Sequence, residues 1–251
     1  MRLEEYLDVI VDFTRNYLNN LHLDCYVLGL SGGVDSSLVA AISKKAVGKE
    51  RLYCLMMPID SHPSDLNDAI KVANALDLQY FIFDLSDTYH HFVDEFKKVG
   101  IELDQGSLTN LKVRMRMSTL YAFAQNHRGL VLGTDNKDER YTGYFTKYGD
   151  GAADLLPIAS LIKREVVEAA KLLGVPKELA ERTPSAGLFE GQTDEKEMGV
   201  TYKDLDDFLL GKEIDEEAKK KILRLHAISE HKRNPIPEPI PFERDLWKRK
   251  I

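Results

Sequence analysis

Cys25-Tyr26-Val27-Leu28-Gly29-Leu30-Ser31-Gly32-Gly33-Val34-Asp35-Ser36-Ser37 carries an unbroken apolar run into two glycines, three serines and an acid. A short run that is apolar at nearly every position is what a strand buried on both faces requires. The stop at Ser31-Gly32-Gly33 lets the chain turn tightly and bring its backbone close to a ligand. The N–H groups of such a turn, followed by the N-terminus of a helix expected from about Ser36 to Val47, favour an anion. Ser31, Ser36 and Ser37 would add hydroxyl donors. Asp35 suits a phosphate cradle only if a cation accompanies the phosphate, so it reads as a Mg²⁺ ligand. The plain alternative is a strand–helix turn with Ser36 as N-cap. The string is neither G-x-x-x-x-G-K-S/T nor G-x-G-x-x-G, and a cradle without lysine disfavours simple γ-phosphoryl transfer.

Outward from this stretch, apolar residues recur at helical spacing over 3–20, ahead of the first strand. After it come an expected strand at 52–57, a helix at 64–76, a strand at 80–83, helices at 86–98 and 107–126, and a strand at 129–133. The second half reads as a long Gly-, Asp- and Tyr-rich loop, then a helix at 162–173 and a loop or lid over 184–200. Helices at 202–210 and 215–231 and an extended Pro-rich tail at 234–241 complete it. Strands separated by helices mean βαβ units. The expected fold is therefore a doubly wound parallel α/β sheet in one domain over 1–251, with a helical C-terminal part. Ligands of such sheets bind at the carboxyl ends of the strands.

Composition agrees and narrows the classes. The chain has 251 residues, 43% hydrophobic and 30% charged, enough for a sizeable core and against a disordered chain. A formal charge of −7 argues against a nucleic-acid-coating surface. Two cysteines, Cys25 and Cys54, lie in apolar runs and read as buried free thiols of a reducing cytoplasm. The N-terminus lacks a basic segment followed by an apolar core, so no signal peptide is expected. No stretch approaches the ~20 apolar residues of a membrane span. No His or Cys spacing matches a zinc site, and no G-x-S-x-G elbow marks a serine hydrolase.

A second segment follows the strand at 129–133. Gly133-Thr134-Asp135-Asn136-Lys137-Asp138-Glu139 leads through Gly143-Tyr144-Phe145-Thr146-Lys147-Tyr148-Gly149-Asp150-Gly151 to Asp154 and Pro157. It is too long for a passive connection and mixes acids with lysine, as expected beside phosphate and metal. Its aromatics either stack on a planar ring or pack the loop onto the body. The S-G-G-x-D-S string resembles the PP-loop of the N-type ATP pyrophosphatases. The second segment, with Asn110–Met117, Lys163, Pro184-Ser185-Ala186, Gln192–Glu195 and His231-Lys232-Arg233, resembles the NAD synthetase family over essentially the whole chain.

That resemblance implies an adenine nucleotide α-hydrolase-like fold. The implied reaction is deamido-NAD⁺ + ATP + NH₃ → NAD⁺ + AMP + PPi, through an acyl adenylate. It places Gly29, Leu30, Ser31, Gly32, Gly33, Val34, Asp35, Ser36, Thr134, Lys163 and Ser185 on ATP. Asp35 and Glu139 would hold Mg²⁺, with Asp35 and Lys163 as the catalytic residues. Arg114, Lys147, Asp154, His231 and Lys232 would bind deamido-NAD. Taken without the family, Lys163 is a surface lysine at a helix start, Arg114 belongs to a solvated face, and His231-Lys232-Arg233 favour a helix end.

The resemblance further implies a tight homodimer with deamido-NAD at its interface. The apolar faces of 3–21 and of 107–126 (Leu111, Met115, Met117, Leu120, Tyr121, Phe123) are candidate contact surfaces, unless both pack on their own sheet. Free ammonia is the expected nitrogen source, since no glutaminase domain is expected within 1–251; a separate glutaminase partner stays open. Residues 186–199, rich in glycine and charge, are expected to order over bound nucleotide. The rival readings are another PP-loop enzyme, such as a tRNA-modifying one, and a nucleotide sensor without turnover.

Overall fold

The computed structural model describes residues 1–182 and 193–239. The apolar run forms β1 (Cys25–Gly29), whose first four residues are buried. Parallel partners flank it: Leu28 stands opposite Cys54 of β2 (Leu52–Met56) and opposite Leu132 of β4 (Gly129–Leu132). With β3 (Tyr80–Ile82) the sheet order is β3-β2-β1-β4. The chain winds outward from β1 to β3 and then returns to the other side of β1. That reversal sets a topological switch point between β1 and β4, where a crevice must open at the strand ends.

Alternate residues of β1 serve opposite faces, as the pleat dictates. Tyr26 and Leu28 join the larger core cluster with Leu18, Leu38 and Ile42. Cys25 and Val27 join a smaller one with Leu55, Ala124 and Val131. The larger face is covered by α1 (Leu3–Asn20), α2 (Val34–Val47) and α7 (Lys163–Leu172), which pack on one another. The smaller is covered by α5 (Gln105–Asn126), which packs on β1 and β4. Both cysteines are buried and free. Among the described residues, no helix is long and apolar enough to cross a membrane.

The expected elements are present, and the differences have local causes. α2 begins at Val34 with Gly33 as N-cap, two residues before the expected start, because the cradle itself winds into the first turn. The long loop contains a helix, α6 (Lys137–Thr142). Its signal was Asn-x-x-Glu: Asn136 and Glu139 form a capping box, and Gly143 at φ 68° ends the helix. The expected lid is corrected in part. Residues 183–192 lie outside the described residues, but α9 (Asp194–Met198) is helical, and Met198 and Val200 anchor it in a core cluster.

The last long helix ends early. α10 (Tyr202–Leu209) and α11 (Glu216–Ile228) are followed by a 3₁₀ turn at Glu230–Lys232. Residues 234–239 form no regular element, and the tail from Ile240 lies outside the described residues. The remaining helices are α3 (Pro63–Ala75), α4 (Ser86–Lys98) and α8 (Lys177–Ala180).

The expected contact face of 3–21 is largely internal. Leu7, Ile10, Val11, Thr14 and Leu18 are buried within this chain, whereas Val9, Phe13, Tyr17 and Leu21 form a second, exposed row. On α5, Leu120, Tyr121 and Phe123 pack against the sheet; Leu111 and Met115 are only half-buried.

Candidate active site

A cavity of about 330 Å³ opens at the switch point. Gly29, Leu30, Ser31, Gly33, Val34, Asp35 and Ser36 line it, as does Thr134 after β4. Gly32 is the cradle residue that turns away. Its φ is +83°, and a Cβ there would stand 2.7 Å from the backbone N of Ala69, so only glycine lets the turn lean on α3. Ser31 and Ser36 stay at the cavity, their hydroxyls 3.0 Å apart. Ser37, expected as a donor, is instead fully buried and donates to the Gly33 carbonyl at 2.7 Å.

Four residues close a ring at the wall of this cavity, three of them lining it. Lys163 Nζ lies 2.6 Å from Asp35 Oδ2 and 3.6 Å from Glu139 Oε1. The far oxygens of both acids are held by Asn136: its Nδ2 donates to Asp35 Oδ1 at 2.8 Å, and its backbone N donates to Glu139 Oε2 at 3.2 Å. Asn136 Oδ1 in turn accepts from the Glu139 amide at 3.0 Å, so one residue caps α6 and spaces the two carboxylates. Burial pushes the Glu139 carboxyl well above its usual range, and Asp35 adds to this while Lys163 opposes it.

Lys163 is not the surface residue that its place at a helix start suggests; it is 4% exposed. Burial by itself would depress its ammonium, but Asp35 and Glu139 outweigh burial and hold the proton more firmly than usual. The helix dipole disfavours a cation at the first turn. Two acids from other helices compensate: the Lys163 amide donates to Asp138 Oδ2 of α6 at 2.8 Å and to Asp206 Oδ1 of α10 at 3.0 Å. Asp138 is fully buried and its Oδ1 has no hydrogen-bond partner. Burial, and then the Asp206 carboxylate, push its carboxyl up to about 7.

Other lining groups carried no assignment from sequence. Asp135 is buried with Oδ2 unpartnered, and burial followed by the Asp150 charge pushes it up. Asp194 of α9 accepts from Tyr202 Oη at 3.0 Å and from Tyr144 Oη at 3.2 Å, which ties α9 to the cavity wall. Arg116 shares α5 with Arg114 but not its exposure. Its Nε donates to the Met57 carbonyl at 2.9 Å, and burial lowers its pKa. Helical phase separated the two arginines: two positions along α5 turn a side chain from solvent to the cavity.

The residues expected on the second substrate do not line the cavity. Arg114 reaches the Lys147 carbonyl at 3.3 Å, and Lys147 Nζ reaches the His231 carbonyl at 2.6 Å. Lys232 Nζ donates to the carbonyls of Gly143 and Phe145. These four thus form one neighbouring group. Asp154 stands apart, accepting from the Val131 amide at 2.8 Å and from Tyr121 Oη at 3.3 Å. Ser185 lies outside the described residues.

A glycine cradle at the switch point of a 3-2-1-4 parallel sheet, faced by a second carboxylate and a buried lysine, defines an enzyme fold of the adenine nucleotide α-hydrolase type. The NAD synthase family model matches residues 6–236, and the chain belongs to that family. It is 45% identical over 244 residues to the NH(3)-dependent NAD(+) synthetase of Alkaliphilus oremlandii, covering 94% of this chain and 97% of that one. Among solved structures it resembles the NMN synthetase of Francisella tularensis: TM-score 0.90, 38% identity, 95% of this chain and 99% of that one. It also resembles the NH3-dependent NAD synthetase of Campylobacter jejuni: TM-score 0.78, 30% identity, 96% and 100% coverage.

Proposed function

We propose that the chain is an ammonia-dependent NAD synthetase that joins ammonia to the nicotinate carboxylate of deamido-NAD and cleaves ATP to AMP and pyrophosphate. The observation that carries the reading is the meeting of Asp35, Glu139 and Lys163 beside the glycine cradle. ATP lies along Gly29–Ser36 and Thr134, with Lys163 toward its phosphates. The substrate carboxylate attacks the α-phosphorus, pyrophosphate leaves, and ammonia displaces AMP from the acyl adenylate. No covalent nucleophile of the protein is needed, so positioning and charge stabilisation carry the rate.

Two hard carboxylate oxygens that already converge on one cation, the Lys163 ammonium, suit Mg²⁺, which takes few protein ligands and completes its shell with water and phosphate. Asp35 and Glu139 would hold it, and when bound it neutralises charge on the phosphates. Among the described residues no larger cluster of metal ligands exists.

Deamido-NAD is assigned to Arg114, Lys147, Asp154, His231 and Lys232, at the interface of a homodimer. Ammonia reaches the site as a free substrate, in a single synthetase unit of the cytoplasm. A second reading takes a mononucleotide in place of the dinucleotide, and the likeness to the Francisella tularensis NMN synthetase favours considering it. A coupled assay of amide product formed from deamido-NAD, or from nicotinate mononucleotide, with ATP and ammonium tests both. Turnover with neither acid rejects the assignment.

A further inference from the structure

The ring that joins Asp35, Asn136, Glu139 and Lys163 gives every carboxylate oxygen of the two acids a partner. Each carboxylate has one oxygen on Asn136 and the other turned to Lys163. The side chains are shielded: 6% of the Lys163 side chain, 17% of that of Asp35 and 15% of that of Glu139 are exposed. A carboxylate cannot turn a different oxygen inward without breaking its bond to Asn136. A cation placed between these acids would stand beside the ammonium, in surroundings where like charges repel far more strongly than in water.

We propose that Lys163 is the resident counter-ion of the Asp35–Glu139 pair, so that a divalent cation enters with nucleotide and not ahead of it. The inference rests on reading those two acids as the metal pair. Without nucleotide, the ammonium neutralises part of their charge and keeps two buried carboxylates from facing each other unpaired. The phosphates of ATP offer the ammonium another anionic partner. Its departure then exposes Asp35 Oδ2 and Glu139 Oε1 to the cation that the phosphates bring. The ring of Tyr202 lies 4.7 Å from the ammonium and favours its charge, while the Tyr202 hydroxyl also reaches Glu139 Oε1 at 3.4 Å and would stay on that oxygen when the lysine moves.

The probe is Mn²⁺, titrated into the nucleotide-free full chain and followed by electron paramagnetic resonance. Wild type should bind it weakly, and Lys163→Met should bind it at least about tenfold more tightly, because removing the ammonium leaves the acids unpaired. Adding Asp35→Asn to that variant should abolish the gain. Unchanged or weaker Mn²⁺ binding by a folded Lys163→Met protein overturns the proposal. If that variant does not fold, Lys163→Gln removes the charge and retains a donor for Asp35, and the same outcomes apply. A parallel titration with a non-hydrolysable ATP analogue separates the two readings. If Mn²⁺–analogue binding depends on Asp35 and Glu139 but Lys163→Met gains nothing, only the counter-ion proposal falls. If it ignores both acids, the metal pair falls, and the counter-ion proposal with it.

Discussion

Lys163 and Asp35 stand 128 residues apart in the chain, yet their charged ends lie 2.6 Å from each other. Parallel winding makes this possible. Asp35 rides on the helix after β1, and Lys163 starts the helix that returns onto the same face beside α2. The pair thereby welds the cradle to the second half of the chain, with Asn136 and Glu139 between them. Breaking such a buried pair from one side costs about 3–5 kcal/mol when the remaining charge has no other partner. Here Glu139 remains beside Lys163, so loss of Asp35 should cost less.

Asp35→Asn and Glu139→Gln are expected to lower turnover by at least about a hundredfold while the far-UV circular dichroism stays that of wild type. Each amide keeps the shape and removes the negative charge that a hard cation needs. Amide synthesis is the readout, in excess ATP and deamido-NAD. Full wild-type activity in the presence of excess chelator would contradict the metal assignment.

The fold was legible because its strands announce themselves. A parallel sheet buried on both faces writes continuous apolar runs, and β1 and β2 were readable to within a residue or two. The short helices were not. α6 spans Lys137–Thr142 and α9 spans Asp194–Met198, too short to show an apolar period; a capping box holds α6, whereas α9 lacks a side-chain N-cap and is held by its left-handed Gly199 end and by the Tyr144 and Tyr202 hydroxyls on Asp194. The site divides in the same way. The cradle and Asp35 could be argued from local chemistry alone, whereas Lys163 looked like a surface lysine, since nothing local shows that Asp138 and Asp206 come from other helices to its amide. Asn136, Arg116 and Tyr202 had no local signal beyond the capping box, because their roles exist only after the chain has folded.

The raised pKa of Asp138, set by burial and the Asp206 carboxylate, should make stability depend on pH. An unfolded aspartate titrates near the ordinary 3.8, whereas the folded carboxyl titrates at about 7. Between those values the native state holds a proton that the unfolded chain has lost. This contribution is complete below about pH 4, is lost as pH rises toward about 7, and stays flat above. Asp138→Asn keeps a neutral acceptor for the Lys163 amide and removes the buried charge. It should flatten that slope and stabilise the protein above pH 7 by on the order of 1–3 kcal/mol. Urea melts of both proteins from pH 5 to 8.5 measure the difference, and parallel curves would refute it.

Assembly should be visible without ligand. Beside α5, Phe81 of β3 and Phe92 of α4, which packs on α5, are about half exposed, and α5 keeps Leu111 and Met115 half-buried. A second copy covering this face would remove those groups from water. Sedimentation velocity at micromolar concentration should show a species of twice the chain mass, and Leu111→Asp should shift it toward monomer. A single species at the monomer mass would reject the dimer.

The order of bond making separates the proposed reaction from other PP-loop chemistry. If the carboxylate is adenylated before nitrogen arrives, the first half-reaction runs without ammonia. Labelled pyrophosphate should then enter ATP only when the acid substrate is present. Lys163→Ala should suppress exchange and overall synthesis together, because a group on the phosphates acts in the step that expels pyrophosphate. His231→Ala should mainly raise the concentration of deamido-NAD required, because its assignment is to binding. Lys232→Ala should do so too, with some loss of stability, since its ammonium also ties the carbonyls of Gly143 and Phe145. Comparing exchange driven by deamido-NAD with that driven by nicotinate mononucleotide decides between dinucleotide and mononucleotide. A substrate that uses the Arg114–Lys147–His231–Lys232 group should lose its advantage when His231 is truncated. Exchange supported equally by unrelated carboxylates would overturn the substrate assignment and leave the ATP cradle standing.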